Sequence, residues 1–333
     1  MSINIKTAPE NYSSAFTPCL YSIAGTQDSA FIDIETIESD SNTVLGVKRF
    51  AGAEEVVINT SNYLRRRLNP QPVTPASCRF VLPEGRSIRA HIRVGAIESE
   101  QKIFTAAMTK TTPYQLLSSR SAERTIRSGE DDELAFLAEE GELIAEIAMQ
   151  GTTVETFTAD QLTINTPRMV VFTFDTASLL AHSQEPDSVE SFEISILANG
   201  TKRMVVKYRI GKAATNSVRL CWLNTSGAFD YHTFTVLHSR ESRISKGRMI
   251  SQSGHRTLHS AAEEHLTILC KPMAEKEMES LAELAGSPKV FICRNKSYLL
   301  ADITTDKITL SSQQLTTPKV ELRIAKPKNH QQF

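Results

Sequence analysis

The sequence predicts a mainly β fold: two tandem duplicated antiparallel β-sandwich domains followed by a small α+β C-terminal domain. Three observations predict it. Residues 58–95 fall without a gap onto residues 174–211, at an offset of 116 positions. This register brings Thr60 onto Thr176, Leu64 onto Leu180, Pro70 onto Pro186, Val73 onto Val189, Arg93 onto Arg209 and Gly95 onto Gly211. The apolar pairs Ile58/Phe174, Phe80/Ile196, Val81/Leu197, Ile88/Met204 and Val94/Ile210 coincide as well, and a shared period of this kind marks a repeated module. Short apolar runs alternate with the period of two that a half-buried strand requires. Turn signals separate them every 8 to 12 residues or so, the spacing of sandwiches and barrels.

In the first copy, residues 30–37 alternate cleanly. Asn59 or Ser61 then caps a short helical turn that buries Tyr63, Leu64 and Leu68, and Asn69-Pro-Gln-Pro ends it. Residues 78–82 and 87–94 read as a hairpin around Pro83-Glu-Gly, with Ile88, Ala90, Ile92 and Val94 on one face and Arg89, His91 and Arg93 on the other. The second copy follows the same plan. Asp175 is the cap, Glu185-Pro186 the stop, and residues 192–197 and 203–210 the hairpin around Asn199-Gly200.

Polar, charged sequence over 118–133 places the first boundary near residue 145. A similar stretch from Ser239 through Arg256 places the second near residue 262. The expected domains are therefore 1–145, 146–262 and 263–333. In the last, a strand at 266–270 precedes a helix that carries Met273, Met278, Leu281 and Leu284. Gly286 and Pro288 stop this helix, and three further strands and a polar tail from Lys326 complete the chain.

At 333 residues, 40% of them apolar, the chain has material for two or three cores. Its 37 basic and 38 acidic residues leave a net charge of −1, without the overall basic excess of a general nucleic-acid or anionic-membrane binder. The N-terminal residues lack a secretory pattern and no long apolar run follows, so a soluble protein made in the cytoplasm is expected. Cys19, Cys78, Cys221, Cys270 and Cys293 are odd in number and mostly sit in apolar runs, as free thiols do. The five Asn-x-Ser/Thr sites, Asn59 and Asn224 among them, read as turn and cap residues.

Four groups invite a chemical reading. His255, His259 and Glu263 recur every four residues and would share one helix face, as metal ligands do, but the flanking sequence has no helical pattern and reads better as a solvated linker. Glu130-Asp-Asp-Glu lacks the spaced ligands of a calcium loop and reads as a run facing water. Arg65-Arg-Arg suits phosphates, yet the second copy has Ala181-His-Ser there, so a protein interface or a solvated helix end fits better. Trp222, Phe229 and Tyr231 form either a sugar-stacking platform or core packing, and packing is the usual role of aromatics in sandwiches. Nucleophile elbows, phosphate loops and dinucleotide fingerprints are missing from the sequence. No catalytic, cofactor-binding or metal-binding residue is therefore assigned, and no enzyme is expected.

Two segments carry a resemblance. Trp222-Leu-Asn-Thr-Ser-Gly-Ala-Phe-Asp-Tyr-His-Thr-Phe, together with the ending from Leu266-Thr-Ile through Leu281-Ala-Glu-Leu-Ala-Gly-Ser-Pro-Lys-Val-Phe-Ile to Tyr298-Leu-Leu-Ala-Asp-Ile, resembles structural proteins of tailed-phage and prophage tails. In that family a hairpin of the pattern WLN..G.FD.FTF lies in the second of two sandwich domains, and a strand, a helix and an SPxV strand close the chain. Residues from about 16 to 325 can be laid on this plan, and His232 stands where the pattern has an aromatic residue. The resemblance implies a virion scaffold of the distal-tail or baseplate type. Its partners would be other copies of itself and neighbouring tail proteins, with no membrane and no general nucleic-acid binding. It would assemble in the host cytoplasm and end in the virion. The rival expectation is a glycan-binding or adhesive β-sandwich module that uses the Trp222 hairpin.

Overall fold

A computed structural model describes residues 3–74, 77–212, 216–252, 254–269, 275–294, 296–305 and 319–325. The protein is mainly β, with 57% of the described residues in strands and 8% in helices. It divides into two compact units, one comprising Met1–Gly211 with Asn224–Phe229 and the other Lys212–Leu223 with Asp230–Phe333. Among the described residues no helix is long and apolar enough to cross a membrane.

The first unit opens with β1 (Asn4–Thr7), β2 (Ser13–Ser14), β3 (Leu20–Ala24), β4 (Phe31–Glu38), β5 (Thr43–Ala51), β6 (Glu55–Asn59), helix α1 (Ser61–Arg65), β7 (Arg79–Val81), β8 (Ser87–Val94), β9 (Ile97–Glu98) and β10 (Lys102–Thr105). One sheet has the order β1-β3-β6 and the next β2-β10-β8-β4-β5, with β9 on β8. The alternation expected for β4 is present: Ile32 and Ile34 are buried between exposed Phe31 and Asp33. A bulge at Thr36/Ile37 then buries two residues in succession. Tyr21, Ile23, Val56 and Ile58 from the smaller sheet share a core with Ile32, Ile34, Ile92 and Val94 from the larger. This is the face-to-face packing of a sandwich-like fold, which removes each buried aliphatic side chain from water for about 1.5–3 kcal/mol.

The unit continues with β11 (Glu123–Arg127), β12 (Asp131–Ala138), β13 (Gly141–Gln150), β14 (Val154–Ile164), β15 (Arg168–Asp175), helix α2 (Thr176–Leu180), β16 (Ser191–Ala198) and β17 (Thr201–Gly211). Its larger sheet has the order β11-β17-β16-β13-β14. The succession matches that of β2-β10-β8-β4-β5, because β10–β2 and β17–β11 are parallel and every other neighbouring pair is antiparallel. Asp175 caps α2 as expected, its Oδ1 accepting from the Ser178 amide at 2.8 Å. Asn199 (φ 50°) and Gly200 (φ 74°) make the tight turn of the β16–β17 hairpin. At α1 the cap is indirect, since Asn59 Oδ1 accepts from both the Ser61 and Cys19 amides at 3.1 Å.

The first expected hairpin does not form. β7 leaves β8 and pairs antiparallel with β15, giving a sheet of order β12-β15-β7. Phe80 thereby joins Phe136, Phe172 and Phe174 in the core beneath the larger sheet, with ring centroids 5.3 Å apart between Phe80 and Phe172. In sheet order β8 takes the place held by β16, so the matches of Arg93 with Arg209 and Gly95 with Gly211 join strands of different position. Every residue of β12 is buried. One face of its sheet lines the phenylalanine core, and the other packs Ala135, Leu137 and Val171 against Leu117 and Ala228.

The second unit is one seven-stranded sheet of order β19-β18-β22-β23-β24-β21-β20, built from β18 (Val218–Leu223), β19 (Phe229–Phe234), β20 (Val236–Ser251), β21 (Gly254–Leu269), β22 (Val290–Arg294), β23 (Ser297–Ile303) and β24 (Lys319–Ala325). Helix α3 (Glu275–Gly286) sets Met278, Leu281 and Leu284 into a core with Trp222, Phe234, Ile268 and Ile292. Met273, Cys270 and the tail from Lys326 lie outside the described residues.

The expected boundaries at 145 and 262 fall within strands β13 and β21. Polarity suggested those boundaries, yet many of the polar residues are in strands, Glu123–Arg127 and the start of β12 in the first place and β20 and β21 in the second. The segments after 262 complete the sheet that β18 begins, because β22 pairs with β18 and β24 with β21.

Candidate functional site

The acidic run at 130–133 is the clearest departure from its expected role. It opens a strand buried on both faces, and Asp132 and Glu133 are only 2% and 3% exposed. Carboxylates in such a place require partners, and the chain supplies them. Glu133 takes both its oxygens to Arg86, at 2.5 and 3.0 Å, and accepts from the amides of Val73 and Phe229. Arg86 in turn donates to the Gln71 carbonyl at 2.7 Å and stacks on the Phe229 ring at 5.0 Å. Asp132 faces Arg124 at 3.5 Å and accepts from the Tyr208 hydroxyl at 3.1 Å. Burial and the Asp132 charge push the Tyr208 hydroxyl far above the usual phenol range. From Asp131 onward the run is therefore turned into the interior, while Glu130 before it is half-buried and accepts from the Arg127 amide at 3.0 Å.

The aromatic hairpin is likewise internal. Trp222 is 0% exposed, Phe229 2% and Tyr231 1%. None presents the open ring face that a pyranose needs. The tip, Asn224–Phe229, belongs to the first unit. There Asn224 donates to the Leu117 carbonyl at 3.1 Å and its Oδ1 accepts from the Ser226 and Ala228 amides. Gly227 (φ 77°) passes so close to the 106–107 backbone that a Cβ would come within 2.6 Å of the Ala107 nitrogen. The Asn-Thr-Ser-Gly turn is thus a packing device.

His255, His259 and Glu263 lie on strand β21, not on a helix, so their spacing of four stretches them along the strand. Among the described residues no three His, Cys, Asp or Glu groups gather as metal ligands do. In the arginine triplet, Arg65 donates to the carbonyls of Ala15 and Phe16 at 2.8 and 3.0 Å, and Arg67 pairs with Glu38 at 2.6 Å. His91, placed by its strand register beside Arg89 and Arg93, is only 5% exposed and bonds the Ser39 hydroxyl at 3.0 Å. Burial holds its pKa below the ordinary value, with Arg93 acting in the same sense and Glu98 against it.

The first unit has a cleft of about 840 Å3 floored by Val73, Ile88 and Met169. Its rim carries the pairs Arg67–Glu38 at 2.6 Å and Arg89–Asp40 at 2.5 Å. The described lining residues include no histidine or cysteine, and at the rim the Ser41 hydroxyl donates to Glu38 at 2.7 Å.

A further feature is the ladder of β20 and β21, sixteen residues in each strand. β24 pairs with β21 only over 263–269, which leaves the stretch closed by the Ser251↔Gly254 pair as a two-stranded ribbon roughly 30 Å long. Residues 240–246 and 248–250 are exposed, Ile244 by 60% and Ile250 by 78%. No protein-family model matches the chain, and no curated protein matches it.

Proposed function

We propose that this protein is a structural component of a phage tail or baseplate, a scaffold that acts through repeated protein–protein contacts. The observation that carries the reading is the exposed β20–β21 ribbon. A ribbon with water on both faces gains little from its own fold, and isoleucines at 60% and 78% exposure favour a state in which another surface covers them. The internal spending of charge agrees with this. Arg86, Glu133, Arg124 and Asp132 are all committed to interior contacts that fix shape.

We further infer that the two larger sheets of the first unit, with their matching succession of strands, are copies of one duplicated sandwich. β7 of the first copy completes the smaller sheet of the second, which would lock the pair as one rigid block. Burial of Trp222, Phe229 and Tyr231 speaks against the glycan platform.

The test is to express the chain alone and together with proteins encoded beside it, and to image the products. Closed or tubular particles that contain the chain support the scaffold reading. Failure to associate with itself or with any neighbour refutes it.

A further inference from the structure

The near-zero net charge conceals a strong asymmetry. The first unit carries 20 Lys and Arg against 27 Asp and Glu, a net of −7, and the second carries 17 against 11, a net of +6. Within the second unit, residues 242–262 hold Arg243, Lys246, Arg248 and Arg256 and no carboxylate. Within the first, residues 139–193 hold eleven Asp and Glu and one Arg. Opposed fields on two parts of one chain favour association of the basic part of one copy with the acidic part of another.

The register sharpens the match. Alternate residues of β20 share a face, so Ile244, Lys246, Arg248 and Ile250 line one side of the ribbon, opposite Ala262, Ser260, Thr257 and His255 of β21. Along β13 the residues that turn away from the core are Glu142, Ile144, Glu146 and Ala148, since Leu143, Ala145, Ile147 and Met149 are buried. β16 sets Leu197 beside Ile144, and sets Glu193, which Lys202 and Lys207 of β17 face at 3.8 Å, beside Ala148. One surface is two cations between isoleucines, and the other is Glu142 and Glu146 on either side of Ile144, with Leu197 next to it. β14, an edge strand of that sheet, leaves Val154 72% exposed.

We infer that the β20–β21 ribbon of one copy docks on the carboxylate-bearing outer face of β13 and β16 in a second copy. The inference rests on the scaffold reading and adds the partner and the two faces. Because the faces differ, the contact is heterologous, so successive copies close into a ring or extend into a filament. A nucleic-acid partner would use the cations of the ribbon, but it would leave the isoleucines that flank them and the acidic face unexplained.

The experiment follows native mass against concentration at low and high salt for four chains: wild type, Lys246→Glu with Arg248→Glu, Glu142→Lys with Glu146→Lys, and all four reversals combined. All altered side chains lie at the surface or half-buried, and circular dichroism checks that each variant folds. The expected result is a wild-type assembly that weakens with salt, at least tenfold weaker association in each pair of reversals, and recovery in the combined chain. Unchanged association of the ribbon variant, or no recovery in the combined chain, overturns the inference. A wild type that stays monomeric but binds a duplex oligonucleotide through Lys246 and Arg248 overturns it in favour of nucleic acid. A wild type that assembles only with a neighbouring tail protein, whatever the ribbon charge, overturns it while the scaffold reading stands. A monomer in every mixture removes both.

Discussion

Arg86 and Glu133, 47 positions apart in the chain, face each other with side chains 0% and 1% exposed and share two hydrogen bonds. Around them meet the loop at Gln71–Val73, the start of β12 and the hairpin tip at Phe229. A pair so fully removed from water gains little over an apolar pair of equal volume, yet removal of one partner strands the other as a buried charge. Glu133→Gln is expected to lower stability by about 3–5 kcal/mol in urea titrations. The double change Arg86→Met with Glu133→Leu should lose clearly less. Equal losses in the two chains would show that Arg86 is not held by Glu133.

Trp222 is the only tryptophan and is wholly buried, so it reports on the core of the second unit. Native emission should be blue-shifted and protected from acrylamide, and should move to the red on unfolding. Trp222→Ala removes the ring from contact with the core that includes Phe234, Leu281 and Ile292, at an expected cost of about 3–5 kcal/mol. Native emission at the wavelength of exposed indole would contradict the packing role and revive a ligand platform.

Burial pushes the Cys19 thiol up to about 11, against a smaller opposing effect of Arg65, and the Cys78 thiol up to about 12, with the Asp175 charge acting in the same direction. Both thiols should resist a disulfide reagent at pH 8, and half-buried Cys293 should react before them. The raised values also set a sign. The neutral thiols' contribution to stability is intact below the unfolded value of about 8.5 and is lost as pH climbs through about 11 and 12. Cys78→Ala should flatten part of that alkaline decline, as seen in melting temperature against pH.

Gly200 and Gly227 separate backbone strain from crowding. Both have positive φ, 74° and 77°, but a Cβ at Gly200 meets nothing within 4 Å, whereas at Gly227 it strikes the backbone of Ala106 and Ala107. Gly200→Ala is expected to cost about 1 kcal/mol. Gly227→Ala should cost clearly more, because the tip must withdraw from residues 106–107. Equal melting temperatures for the two variants would show that the tip is not seated there.

Much of this architecture was legible where one physical signal dominated. The period of two in β4 and β8, the Asp175 cap, the Asn199-Gly200 turn and the helix carrying Met278, Leu281 and Leu284 all have local causes. What escaped depends on partners distant in sequence. β7 has only three residues and no local feature that selects β15 over β8. The acidic run reads as solvated until Arg86 and Arg124 are brought to it. The ribbon has no buried face along much of its length and therefore no apolar period, so its residues read as linker. Its charge became a signal only when counted unit by unit.

If the chain is an assembly scaffold, light scattering on the purified protein across a concentration series will read it. The mass of a scaffold is expected to rise with concentration, or on addition of a neighbouring tail protein, from 36.9 kDa to a defined multiple or a larger mixed complex. A mass fixed at 36.9 kDa at every concentration, alone and mixed, would contradict it.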